Sequence, residues 1–231
     1  MKTSKIEFNP NGVIPDNGNY FGMPVEADDA ALVLISAPWD ATTARRDGSS
    51  YAPDAIIEAS HKIDFYEPSA PYSWRKGIAT LPIDYSIQDL SHRLRSDAQR
   101  VVKVYEEMGL EGLDNIIYSR RLRHVNEGSL AVNENIYCQS QEWLSRGKIV
   151  GLVGGDQSSA FGLMRAVSEK YDGVGILHID SKSDLKEAYQ GFEHSHASVM
   201  HNVLRDLVGV SRVVAVGVRE FSPAEWERAE S

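Results

Sequence analysis

Five residues near the middle of the chain, Asp180-Ser181-Lys182-Ser183-Asp184, put two carboxylates four positions apart directly after the apolar run GVGILHI. In an extended strand, positions i, i+2 and i+4 share one face. Asp180, Lys182 and Asp184 would then point the same way. Two carboxylates held close repel unless a cation or a proton compensates. A divalent metal is a common solution, with carboxylates and imidazoles as donors. The turn FEHSHAS follows and supplies His194 and His196. A second strand end upstream, VGLVGGDQSS, carries Asp156 and Gln157 after two glycines that let the backbone turn or approach a neighbour closely. Asp156 on its own reads equally well as a turn or capping residue. His178, inside an apolar strand, reads as a hydrogen-bonded core histidine. Neither GxxxxGK[ST] nor GxGxxG occurs, so nothing supports a nucleotide site, and no GxSxG elbow supports a serine triad.

The elements around these residues alternate. ALVLISAPW (31–39), GIATLPIDY (77–85), KIVGLVGG (148–155), GVGILHID (173–180) and RVVAVGVRE (212–220) read as strands, most of them of the continuously apolar kind that is buried on both faces. Helices are expected at PDAIIEASHKI, from Ser86 as cap to about Met108, over 129–146, over 158–171 with Ser158 as cap, and over 195–207. Residues 109–128 mix apolar and basic residues without a clean period and receive no assignment. Residues 1–30 read as an irregular arm. Strand–helix alternation implies right-handed crossovers and a mainly parallel sheet covered on both faces, an α/β chain of three layers, α/β/α. No repeat or low-complexity linker divides residues 1–231, so one domain is expected. Ligand sites in such sheets lie at the carboxyl ends of strands, where Gly154–Ser158 and Asp180–Asp184 fall.

Composition narrows the partners. Hydrophobic residues at 42% and charged residues at 25% are an ordinary soluble balance. A net charge of −9 disfavours nonspecific binding to nucleic acid or to an anionic membrane. The one basic cluster, Arg120 to His124, reads as a solvated face. The single cysteine, Cys138, can form no intrachain disulfide and reads as packed in a helix; with no secretory h-region and no long apolar run, the expectation is a cytoplasmic protein.

Taken in order, the segments resemble the ureohydrolase family of arginase, agmatinase and formiminoglutamase. The family pattern is a strand ending in GGDH, a strand ending in DAHxD, and a turn with SH. The matching stretches are GGDQ (154–157), DSKSD (180–184) and SH (195–196), and SAPWDATTARRDGSSYAPDAIIEAS is similar to the family's opening, with Pro38, Asp40, Gly48 and Pro53 in place. The resemblance covers most of 31–220 and leans towards the agmatinase-like branch. It implies an arginase-like fold and manganese-dependent hydrolysis of a guanidino compound to urea and an amine. Two manganese ions would hold the attacking hydroxide. It makes Asp180 and Asp184 metal ligands, His196 a proton-moving histidine near the substrate, and Asp156 the aspartate beside the first ligand. It also implies a small guanidino substrate and a homo-oligomer, or a hetero-oligomer with a homologue.

The departures from the pattern are chemical. Gln157 and Lys182 stand where the family has histidine ligands, and no DxD pair follows Asp184, so of six ligand positions two match, two are replaced and two are absent. That set leads to an expectation of impaired or no activity, with C-terminal strands missing and an uncovered sheet edge. The alternatives are a non-catalytic partner or regulatory subunit of an intact homologue, or a fragment. One further expectation is that Lys182 sits between Asp180 and Asp184 in place of a metal. The substrate contacts are left unknown, with Asp40 and Glu193 as acidic candidates for meeting a guanidinium.

Overall fold

The structure is a computed structural model and describes residues 8–43 and 46–230. Residues 1–7 of the expected arm, and residues 44 and 45 of the loop ATTARRDGSS, lie outside the described residues. The elements are β1 (Leu32–Ala37), α1 (Ala52–Ser60), β2 (Ile78–Thr80), α2 (Tyr85–Met108), α3 (Ile116–Ser145), β3 (Ile149–Gly154), α4 (Phe161–Lys170), β4 (Val174–Ile179), α5 (Val199–Asp206), β5 (Val210–Val216) and α6 (Pro223–Glu230). Every strand pair is parallel, as the alternation required. The strands form two sheets, ordered β2-β1-β3 and β4-β5.

The first sheet is sandwiched. Leu34 and its neighbours Leu32, Ile78 and Val153 pack with Tyr20 and with Ile57 of α1. Ala37, Trp39 and Leu152 pack into the larger core made with Leu94, Ala98 and Val101 of α2 and Val125, Val132 and Ile136 of α3. Alternate residues of one strand thus serve opposite layers, giving helix, sheet and helix. In the second sheet, Ile176 and Val213 pack with Phe161, Met164, Leu185, Val199 and Met200. Its other face leaves Leu177, Ile179, Val214 and Val216 about half exposed or more.

Several local assignments differ from the sequence reading. Residues 109–128 form a six-residue 3-10 segment, Gly109–Asp114, and then the first turns of α3, whose cap is Asn115 accepting from the N–H of Ile117 at 2.9 Å. The cap of α2 is Asp84, which accepts from Ser86, rather than Ser86 itself. The cap before α4 is Asp156, which accepts from the N–H of Ser158 at 2.9 Å. Cys138 is exposed rather than packed, at the open groove between α3 and α4 that it lines with Ala166, Glu169 and Lys170. Arg121 of the basic cluster pairs with Asp97 across α2 and α3, so that cluster is a helix face. Among the described residues, no helix is long and apolar enough to cross a membrane.

Candidate functional site

The carboxyl ends of β3 and β4 carry the residues that the sequence singled out. At β3 the two glycines are dictated by proximity. A Cβ on Gly155 would lie 1.7 Å from the carbonyl oxygen of Trp39, and one on Gly154 would lie 2.5 Å from that of Ala37. The bare backbone allows Gly155 N–H to donate to Ala37 at 2.7 Å and Asp156 N–H to donate to Trp39 at 2.8 Å. Asn133 of α3 secures the next turn. Its amide nitrogen donates to the carbonyl of Ser158 at 3.0 Å, and its oxygen accepts from Gly162 N–H at 2.9 Å. Asp156 is buried here as a cap, one oxygen accepting from the backbone and hydroxyl of Ser158. Burial pushes its pKa up to about 6, against the lowering effect of Ser158.

At β4 the extended strand ends at Ile179, so Asp180, Lys182 and Asp184 do not continue a single strand face. His178 and Asp180 still share a side by alternation. Asp184 then turns inward through a left-handed backbone conformation (φ 53°), which aspartate tolerates better than most residues. Its carbonyl accepts from Met200 and His201 N–H at 3.1 and 3.3 Å, so the first turn of α5 fixes it. The Asp184 side chain is buried, and neither carboxylate oxygen has a hydrogen-bond partner among the described residues. Burial, reinforced by the charge of Asp180, pushes its pKa up to about 7, with Lys182 opposing.

His178 is buried as well, but it is not the hydrogen-bonded core histidine that the sequence suggested. Its Nδ1 has no hydrogen-bond partner among the described residues, and its Nε2 stands 3.6 Å from Asp184 Oδ2. The ligand atoms of His178, Asp180 and Asp184 all lie within 4.8 Å of one another.

The two replaced positions take up different roles. The Gln157 amide nitrogen donates to Oδ2 of Asp180. Burial would raise the pKa of Asp180, but hydrogen bonds from the Lys182 and Ser181 backbone, together with the His178 charge, hold it below the ordinary value. The Lys182 ammonium is not lodged between Asp180 and Asp184. It reaches Glu220 at 3.6 Å, because residues 182 and 220 form an isolated parallel bridge and their side chains run together at the rim.

Lys182 and Asp184 open onto a cleft of about 580 Å³ shared with Arg46, Lys186, Tyr189, His196, Glu220 and Glu225. His196 packs edge-on against the Tyr189 ring at 5.6 Å. Burial, then the Lys182 charge, lowers its pKa, so it is a neutral base at pH 7. Glu225 is buried where α6 meets the 181–186 loop. It accepts from Ser183 Oγ at 2.6 Å, from Lys186 Nζ at 2.7 Å and from Ser222 N–H at 2.8 Å. Sequence reasoning missed Glu220, Glu225 and Lys186; only the cleft brings them to the site. The two acidic candidates for a guanidinium lie elsewhere. Asp40 is buried with both oxygens engaged by Gly48, Ser50 and Ser91, and Glu193 is on the surface outside the cleft.

The model of the arginase family matches residues 30–231. An agmatinase of Bacillus anthracis is 24% identical over 209 residues, which cover 87% of this chain and 57% of that protein. The N(1)-aminopropylagmatine ureohydrolase of a Synechocystis strain is 25% identical over 178 residues, 76% of this chain and 47% of that protein. Among solved structures, the agmatine ureohydrolase of Thermoplasma volcanium superposes with a TM-score of 0.60 at 25% identity, covering 88% of this chain and 55% of the other. The chain thus spans about half the length of the relatives it matches.

Proposed function

Starting from the fact that the chain belongs to the arginase family, we propose that it is an agmatinase-like ureohydrolase scaffold whose cleft admits a small guanidino compound but whose donor set does not run two-metal hydrolysis. Family membership implies a pair of manganese ions. The residues present do not fit a pair. A two-metal centre clamps the attacking and leaving atoms between ions about 3.5–4 Å apart, which takes more donors than three side chains supply. Among the described residues, the one group of three or more metal-binding donors is His178, Asp180 and Asp184. Gln157 offers an amide that is already donating to Asp180, and Lys182 brings a cation to the rim.

The observation that carries this reading is the fate of those two side chains: Lys182 is an ammonium turned to Glu220, with no lone pair to give, and Gln157 spends its amide nitrogen on Asp180 and offers only a neutral amide oxygen in place of an imidazole. His196, neutral and lining the cleft, is the group suited to move a proton beside a bound substrate. Glu220 is the exposed acidic group of the cleft that can meet a guanidinium, and it is shared with Lys182. Asp156 supports the GGDQ turn from behind as a cap. Because the outer face of the β4-β5 sheet carries four exposed aliphatic side chains, we also propose that the chain works in an oligomer, with copies of itself or with an intact homologue.

The test is urea release from agmatine and from arginine with manganese in excess. The reading predicts no turnover above the uncatalysed rate, together with protection of the chain by the same compounds in a thermal-shift assay. Sustained, manganese-dependent urea release would contradict it.

A further inference from the structure

We propose that the cleft between α2 and α3 is a docking site for a second copy of this chain, which enters it with the acidic outer face of α6. The cleft holds about 770 Å³ and lies on the helical layer, away from the strand ends. Its apolar part is Ile116 and Ile117 in the first turn of α3, 75% and 58% exposed. Two large aliphatic side chains left in water at a concave surface are a mark of a contact site.

The rest of the cleft is charged. Asp97 of α2 holds Arg121 and also His124, the latter at 3.2 Å. Arg120 and Arg123 line the cleft too, are exposed, and have no ion-pair partner among the described residues. Ile116, Arg120 and Arg123 fall four and seven positions apart, so they form one stripe along α3. The amino end of this 30-residue helix adds partial positive charge beside them. On a chain with a net charge of −9, such a spot selects an acidic partner.

The chain itself carries the matching stripe. Pro223, Glu227 and Glu230 of α6 have the same spacing and the same order, apolar residue first and then two charges of opposite sign. All three are exposed, and neither glutamate has an ion-pair partner among the described residues. Beside them Trp226, 50% exposed, stacks on Phe221 at 5.2 Å and offers an aromatic anchor for the isoleucines. Glu225 ties the inner side of α6 to Ser183 and Lys186, so the helix is held from behind and presents its outer face. No α6 residue lines the cleft of its own chain, so the contact joins two copies. Laid parallel, the two helices set Glu227 against Arg120 and Glu230 against Arg123, a helix-in-groove arrangement with anchors at helical spacing. Because the two patches differ, the contact is head-to-tail and builds a ring or an open chain.

The experiment is sedimentation of the full chain and of two charge-reversed variants, Arg120→Glu with Arg123→Glu, and Glu227→Arg with Glu230→Arg. The wild type should self-associate, less so in high salt, where exposed charges are screened. Each variant alone should associate at least about tenfold more weakly, since like charges then oppose each other across the contact. An equimolar mixture of the two should recover association, because the cleft of each again meets an α6 of opposite charge. The β4-β5 face contains none of these residues, so recovery on mixing reads this contact alone. If a reversed variant does not fold by circular dichroism, the glutamine versions of the same pair replace it, and weakening is still expected. A monomeric wild type, association that survives the substitutions, or folded reversed variants that do not recover on mixing would each overturn the proposal and leave the functional reading above untouched.

Discussion

At the residue scale, Glu225 carries a pH signature. Burial alone would raise its pKa, but Lys186, Ser183 and Ser222 overcome that and lower it from 4.5 to about 2. A depressed carboxylate pKa contributes stability that is fully present above the unfolded value and is lost as pH falls through the folded one. The expected outcome is an acid-unfolding component between about pH 4.5 and 2, on the order of 2–3 kcal/mol at most after allowance for the partly exposed Lys186 partner. Glu225→Gln should flatten that part of the stability-versus-pH curve in urea denaturation; an unchanged slope would refute the assignment. Residue types told the sequence reading where chemistry clusters. They could not tell it which way Lys182 turns. That depends on Glu220, thirty-eight positions away, meeting it across a bridge that no local period announces. His178 is buried in its strand as the sequence reading had it, but the partner it faces could not be foreseen. A histidine in an apolar strand looks like core until the turn at Asp184 brings a carboxylate to face it.

At the scale of elements, the strands were legible because buried parallel strands are continuous apolar runs, and α2 was legible because its buried residues recur with helical period. The first half of α3 was not. Up to residue 128 its only buried residues are Val125 and Gly128, and the stripe that continues from there, Ser129, Val132, Asn133, Ile136, Ser140 and Leu144, is half small or polar, so hydrophobicity carries little of the pattern. Those small residues matter for packing. A Cβ on Gly162 would lie 2.2 Å from the Asn133 carbonyl oxygen, so α3 and α4 meet backbone to backbone. The GGDQ turn makes the sharper prediction. Gly155→Ala must displace β1 or the turn itself, and it should cost at least about 3 kcal/mol by chemical denaturation, at the severe end for one substitution. Gly175→Ala, with nothing within 4 Å of the new Cβ, should leave stability within about 1 kcal/mol. Equal effects of the two would count against the close approach of β3 and β1.

At the scale of the whole molecule, the two parallel sheets differ in what covers them. The β2-β1-β3 sheet has helices on both faces, whereas the β4-β5 sheet exposes Leu177, Ile179, Val214 and Val216 on one. Exposed aliphatic patches of this kind mark contact surfaces or association-prone faces. The double variant Leu177→Thr, Ile179→Thr should lower binding of a hydrophobic dye and shift sedimentation towards the monomer, while threonine keeps the strand propensity. A stable wild-type monomer that binds no dye would oppose this. The exposed face was anticipated only as an uncovered edge, because which face lacks a helix is a matter of tertiary placement. The family architecture was readable from three motifs in order, and the approach of His178 to Asp184 was not, since one comes from inside the strand and the other from the turn beyond it.

The central claim is that the donors among the described residues of this family scaffold do not make up a two-metal centre. The most direct measurement is an anomalous-difference map from crystals grown with manganese. The absence of a pair of peaks at the carboxyl ends of β3 and β4 is the predicted result. Two peaks about 3.5–4 Å apart, with Gln157 or Lys182 displaced to admit the second, would contradict it.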